Sequence, residues 1–177
     1  MRLTENNMER AAKVKLMIFD VDGVLTDGSL HFGSDGEMMK TFNVHDGLGI
    51  KLLQESGVQS AIISARQSLI VARRASDLGI MHVLQGVHDK RVPFLKLLAD
   101  TGLTADQCGY IGDDVIDLPI LTRVGFAVSV PNGRLEVRQR AHYVTEAAGG
   151  AGAVREVCEL LLRAQGTHAA IMAQFLA

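Results

Sequence analysis

A chain of 177 residues with a formal net charge of −2 and 47% apolar residues has the balance of a soluble globular domain, long enough to bury a core without disulfides. That charge excludes a general nucleic-acid or membrane-surface binder, and two cysteines exclude a disulfide framework or a Cys-rich zinc site. With no signal-peptide pattern and no apolar run near ~18 residues, a cytoplasmic chain is expected.

Residues 14–19 (VKLMIF) form a short apolar run, as in a strand covered on both faces. Residues 29–42 read as two extended runs around Gly33-Ser34-Asp35-Gly36, a hairpin turn signal. Leu48, Leu52 and Leu53 place a helix over 47–56, ended by Gly57, and 59–64 (QSAIIS) is the next strand. Helical spacing returns over 67–78, a strand over 81–84, and a helix over 89–100 with Asp89 as N-cap. Strands at 108–112 and 125–130, helices at 134–140 and 152–163 and a short strand at 142–145 complete the pattern, with Cys108 and Cys158 as small core residues. Only the tail after Gly166 (about 164–177) is weakly specified. The βα alternation predicts one α/β domain over 1–177: a doubly wound, mostly parallel sheet with a hairpin insertion (29–42) and no cap domain.

Four chemistry-bearing features lie along this frame. Asp20-Val21-Asp22-Gly23 follows the first strand, so two carboxylates can converge on one pocket, one to attack and one to manage a proton. Alone, the same pattern also describes a solvated Asp/Gly turn. Gly112-Asp113-Asp114-Val115-Ile116-Asp117 places three carboxylates at a strand-to-helix junction, suited to a hard cation such as Mg²⁺ or, equally, to a helix dipole. Ser64 ends a strand and Lys90 opens a helix; a hydroxyl and an ammonium suit a transferring phosphoryl group. Asp20, Ser64 and Asp113 all fall beyond the C-terminal ends of predicted parallel strands, where open α/β sheets build their sites.

Strand-DxDG, strand-Ser, Lys and GDDxxD in this order resemble the four motifs of the haloacid dehalogenase superfamily, with its Rossmann-like fold. FDVDGVLTDG, FNVHDGLGIKLLQ, IISAR, RRASDLGI, YIGDDVIDLPIL and GGAGAVRE further resemble its capless subfamily of 3-deoxy-D-manno-octulosonate 8-phosphate (Kdo 8-phosphate) phosphatases, enzymes of lipopolysaccharide synthesis. Ala65, where that subfamily is expected to have Gly, is a departure.

The resemblance implies a Mg²⁺-dependent phosphatase. Asp20 would be the nucleophile, Asp22 the proton donor and then the base, and Ser64 and Lys90 the groups holding phosphoryl oxygens, Lys90 also lowering the cost of crowding carboxylates there. Asp20, the backbone carbonyl of Asp22 and Asp113 would hold the metal, with Asp114 and Asp117 orienting metal waters or Lys90. Arg66 and Arg74 suit a substrate carboxylate; Asn43, Val44, His45, Asp46, Gly47 and Lys51 are implied substrate contacts. The alternatives are a phosphatase of another sugar-acid phosphate, such as a nine-carbon sialic-acid or KDN type, and a non-catalytic regulatory or oligomerisation module of the same fold. The open core and the apolar hairpin (Leu30, Phe32, Met38, Phe42) point, with the subfamily, to a homotetramer joined through hairpins. The glycines at 149–152 read either as a hinge or as a turn.

Overall fold

The computed structural model describes residues 4–176. Strand β1 (Leu16–Phe19) is buried at all four positions, and its alternation divides the core in two. Met17 and Phe19 join one apolar cluster, Leu16 and Ile18 the other. Each such side chain contributes roughly 1.5–3 kcal/mol through burial, so a four-residue strand can organise both layers.

Before β1 lies α1 (Glu5–Ala12), capped by Thr4, whose hydroxyl accepts from the Asn7 N–H at 3.2 Å. No helix was expected there, because its apolar content is low. After β1 come the hairpin strands β2 (His31–Gly33) and β3 (Gly36–Met39), paired antiparallel outside the main sheet. They are followed by α2 (Val44–Glu55), β4 (Gln59–Ile63), α3 (Leu69–Asp77), β5 (His82–Leu84), α4 (Arg91–Thr101), β6 (Cys108–Gly112) and α5 (Leu118–Leu121). The chain ends through β7 (Phe126–Ser129), α6 (Leu135–Arg138), β8 (Tyr143–Val144), α7 (Ala153–Ala164) and α8 (His168–Ala173). The sheet runs β5-β4-β1-β6-β7-β8, all parallel. Phe19 stands opposite Ile62 and Ile111, so the strand ends carrying Asp20, Ser64 and Asp113 lie side by side.

Several boundaries differ from the sequence reading. Helix α2 begins three residues earlier than expected, because the Asn43 side chain accepts from the His45 N–H at 2.8 Å and caps it. The N-cap expected at Asp89 falls on Lys90, whose side chain runs inward; Asp89 still accepts from the Arg91 N–H at 3.0 Å. The tail after Gly166 is more ordered than expected, since α8 buries Ile171 against the core. Cys108 and Cys158 are buried free thiols, as expected.

Helices α2 and α7 pack closely at Gly49, where a Cβ would come within 3.1 Å of the Arg155 Cα. Helix α7 has Gly152 at its N-cap and so no capping side chain of its own. Asp46 of α2 supplies one: its buried Oδ1 accepts from the Arg155 N–H at 2.7 Å. Burial raises the Asp46 carboxyl above its ordinary value, against the pull of α7 backbone N–H groups. Asp46→Ala should therefore cost about 1–2 kcal/mol, the loss of an N-cap, whereas Asp46→Asn keeps an acceptor and most of the stability. Urea denaturation distinguishes the two, and an Asp46→Ala protein as stable as the parent would show that α7 needs no such cap.

Candidate active site

The Asp20–Gly23 loop leaves β1 at the centre of the sheet, and the Asp20 N–H continues the ladder to the Ile111 carbonyl at 3.1 Å. At Gly23, φ is +87° and a Cβ would lie 2.2 Å from an Asp113 carboxylate oxygen. Only glycine lets this loop turn and lie against Asp113. Asn132 secures it from outside, donating to the Gly23 carbonyl at 3.0 Å while accepting from the Gly149 N–H at 2.8 Å. The 149–152 glycines form a turn docked on this loop, with the Gly150 N–H donating to Val24. The sequence left hinge and turn open; in this conformation the segment is a turn.

Beneath Asp20 lies Lys90, fully buried. Its Nζ is 2.7 Å from Asp20 Oδ1 and 2.6 Å from Asp117 Oδ1, and donates to the Tyr110 hydroxyl at 3.2 Å. The Tyr110 hydroxyl donates to Asp117 Oδ1 at 2.5 Å, and Asp117 Oδ2 accepts from the Asp113 and Asp114 N–H groups at 2.9 and 3.1 Å. All three ammonium protons are thus engaged inside the protein.

Burial pushes the Asp20 carboxyl up to about 8, the charge of Asp117 adds to the effect, and Lys90 opposes it. Burial also raises Asp113 to about 7, reinforced by Asp117 and Asp114. For Lys90, burial disfavours the charge, but Asp20 and Asp117 outweigh it and hold the ammonium above its ordinary value.

A cleft of about 220 Å³ opens above this network, lined by Asp20, Asp22, Gly28, Ser64, Ala65, Arg66, Asp113, Asp114 and Ile116. Oxygens of Asp20, Asp113 and Asp117 lie within 4.8 Å of one another, close enough to share a cation. Asp117 spends both oxygens on Lys90, Tyr110 and two backbone N–H groups, which leaves Asp20 and Asp113 facing the cleft. These two carboxylates, with nearby backbone carbonyls, are an oxygen-only donor set that fits a small hard cation.

The structure brings Asp20, Asp22, Ser64, Arg66, Asp113 and Asp114 to one cleft, as the sequence predicted. Lys90, expected both to hold phosphoryl oxygens and to lower the cost of crowding carboxylates, sits under Asp20 and balances the charge of Asp20 and Asp117. Asp46, expected to contact substrate, turns inward to α7, and Gly47 is buried beneath Arg74. Asn43, Val44, His45, Lys51 and Arg74 stand on or beside α2 and α3 outside the cleft, with the Arg74 guanidinium 5.7 Å from the Phe42 ring centroid. Asn43 is linked to the cleft through Gly150, whose carbonyl accepts from its Nδ2 at 3.5 Å. Two residues were not foreseen. Tyr110 carries no signal beyond being aromatic in a strand, and Lys40 none beyond being charged at the end of an apolar hairpin; yet Lys40 forms a close ion pair with Asp22.

A six-stranded parallel sheet with a paired-carboxylate loop after its central strand defines a haloacid dehalogenase-like hydrolase. Residues 61–157 match the family of that description, and the chain belongs to it. The 3-deoxy-D-manno-octulosonate 8-phosphate phosphatase KdsC of Yersinia pestis is 45% identical over 163 residues, covering 92% of this chain and 87% of the relative. A crystal structure of that phosphatase from Moraxella catarrhalis, in complex with a magnesium ion, a phosphate ion and a Kdo molecule, is 44% identical. It superposes with a TM-score of 0.95 over 98% of this chain and 99% of that one. The cobalt-bound deoxy-D-mannose-octulosonate 8-phosphate phosphatase of Haemophilus influenzae is 40% identical, with a TM-score of 0.91 over 95% and 99%.

Because the Asp20 and Asp113 carboxyls are raised from 3.8 to about 8 and about 7, the folded chain binds more protons than the unfolded one across that interval. Metal-free stability therefore falls as pH rises from about 4 to about 8. A cation competes with those protons, so the rise in Tm produced by a fixed excess of MgCl₂ should grow from about pH 5.5 to about pH 8. Thermal melts with and without MgCl₂ across that range test this, and a shift independent of pH would mean that the cation does not meet these carboxylates.

Proposed function

We propose that the chain hydrolyses Kdo 8-phosphate to Kdo and inorganic phosphate, through an aspartyl phosphate on Asp20, in lipopolysaccharide precursor synthesis in the cytoplasm. The observation that carries this reading is the Asp20 carboxylate, held by Lys90 at the cleft floor with Asp22 and Asp113 beside it. The names of the Yersinia and Moraxella relatives support the substrate. Asp20 attacks phosphorus as the bond to the sugar oxygen breaks, and Asp22 gives that oxygen its proton. Water then attacks the phosphoryl group, Asp22 takes the water proton, and phosphate leaves with Asp20 restored. Mg²⁺ would be held by Asp20, the Asp22 carbonyl and Asp113, and would offset repulsion between an anionic nucleophile and an anionic ester. Asp114 would orient its waters.

Ser64 offers a hydroxyl at the cleft wall, and Arg66 a half-exposed guanidinium suited to the substrate carboxylate. Asn43, Val44, His45, Lys51 and Arg74 would contact the remainder of the sugar where a neighbouring subunit brings it into reach.

Phosphate release from Kdo 8-phosphate tests the reading directly. Asp20→Asn keeps the shape and removes the attacking charge, so turnover should fall by at least roughly 10³-fold while the fold persists. A folded Asp20→Asn protein with near-parental turnover would exclude the covalent route.

The proposal includes a homotetramer. Phe32 and Met38 are 59% and 67% exposed on the hairpin, with Leu30 and Met39 beside them, more apolar surface than a lone ribbon keeps in water. Light scattering during size-exclusion chromatography should give four subunits, and Phe32→Asp with Met38→Asp should dissociate them. A fully active monomer at assay concentrations would refute the shared assembly.

A further inference from the structure

Asp22 is anchored from an unexpected direction. Its carboxylate is 22% exposed, on a loop, and has two freely rotating side-chain bonds to hold if it is to meet a leaving oxygen. One oxygen accepts a hydrogen bond from Lys40 Nζ, and the other lies 3.8 Å from Arg66 Nε. The Lys40 side chain is 1% exposed, an unusual setting for an ammonium at the end of a solvent-facing hairpin. Its second partner is Glu37 Oε1 at 3.1 Å. Glu37 in turn accepts from the Ser68 hydroxyl, and Ser68 is the N-cap of α3, accepting from the Val71 N–H at 3.3 Å. A continuous chain of charge-assisted hydrogen bonds therefore runs from the catalytic loop through the hairpin into the main fold. Desolvated and doubly paired, Lys40 is fixed in a way a surface lysine is not.

We infer that Lys40 is a positioning residue for proton transfer: it sets the Asp22 carboxylate in the orientation that meets the ester's leaving oxygen, and so makes the hairpin part of the catalytic apparatus. This rests on the acid role given to Asp22 above. It explains why the hairpin, which adds nothing to the sheet, is tied to the site by buried charge. It also assigns a preference: Lys40 matters most for esters whose leaving group is a strongly basic alkoxide, such as a sugar hydroxyl, and least for aryl phosphates, whose leaving groups depart without a proton.

The test is a series of monoesters of decreasing leaving-group acidity: p-nitrophenyl phosphate, phenyl phosphate and an alkyl phosphate, assayed with Mg²⁺. The parameter is kcat/KM, which covers the steps up to leaving-group departure and excludes the later hydrolysis. General-acid assistance contributes about 10²–10⁴-fold, so Lys40→Met should lower kcat/KM for the alkyl ester by about 10- to 100-fold and for p-nitrophenyl phosphate by less than about 3-fold. Lys40→Arg should recover most of the loss. Asp22→Asn is the benchmark. If it shows no dependence on leaving group, the acid role of Asp22 fails, and the inference with it. If Asp22→Asn shows the dependence and Lys40→Met loses activity equally across the series, Lys40 is merely structural and the proposal is overturned. Should Lys40→Met not fold, Glu37→Gln, which loosens Lys40, carries the same test: a smaller loss graded by leaving group supports the proposal, and a uniform loss overturns it.

Discussion

A single buried ammonium sets the terms for this structure. Lys90 is enclosed by Asp20, Asp117 and Tyr110, with no exposure to solvent, and each partner carries a second duty. Asp20 faces the cleft, Asp117 ties down the backbone at Asp113 and Asp114, and Tyr110 belongs to β6, whose end delivers those residues. Breaking such a pair by removing one partner typically costs 3–5 kcal/mol, because a buried charge is left without compensation. The ion cluster thus joins β1, β6 and the start of α4 at one point. It holds the Asp20 carboxylate in place and leaves it facing the cleft.

This arrangement resolves a conflict inherent in the site. Three carboxylates crowd within 4.8 Å, and burial drives Asp20 and Asp113 toward their protonated forms. Lys90 supplies one positive charge from below, and the cleft remains short of another above. A hard divalent cation held by Asp20 and Asp113 would supply that charge and favour their ionised forms.

The hairpin serves a comparable purpose at the rim. Its Phe32 ring lies under the Arg66 guanidinium, 5.8 Å from the centroid, and Phe42, just beyond it, does the same for Arg74. With Lys40 on Asp22 as well, two cationic groups at the cleft, Lys40 and Arg66, are positioned by this small ribbon and its immediate end. The ribbon's own apolar side chains, Phe32 and Met38 among them, stay exposed.

Much of this was legible in the residues. The apolar run at 14–19, the strand–helix alternation and the order of Asp20, Ser64, Lys90 and Asp113 determined the fold class and the chemistry, because hydrophobic period and strand-end position are local properties that survive in a linear string. The same logic located the hairpin from its turn. Helix α1 escaped it because its apolar content is slight, and α8 because a six-residue segment is too short to show a period. The tertiary structure alone decided which way each polar side chain points. Asp46 turns inward to cap α7, Lys90 lies buried between Asp20 and Asp117, and Lys40 reaches Asp22 across 18 positions of sequence. Each is a long-range pairing of buried charge with a distant partner. A linear sequence records the charges but not the desolvation that makes the pairing obligatory.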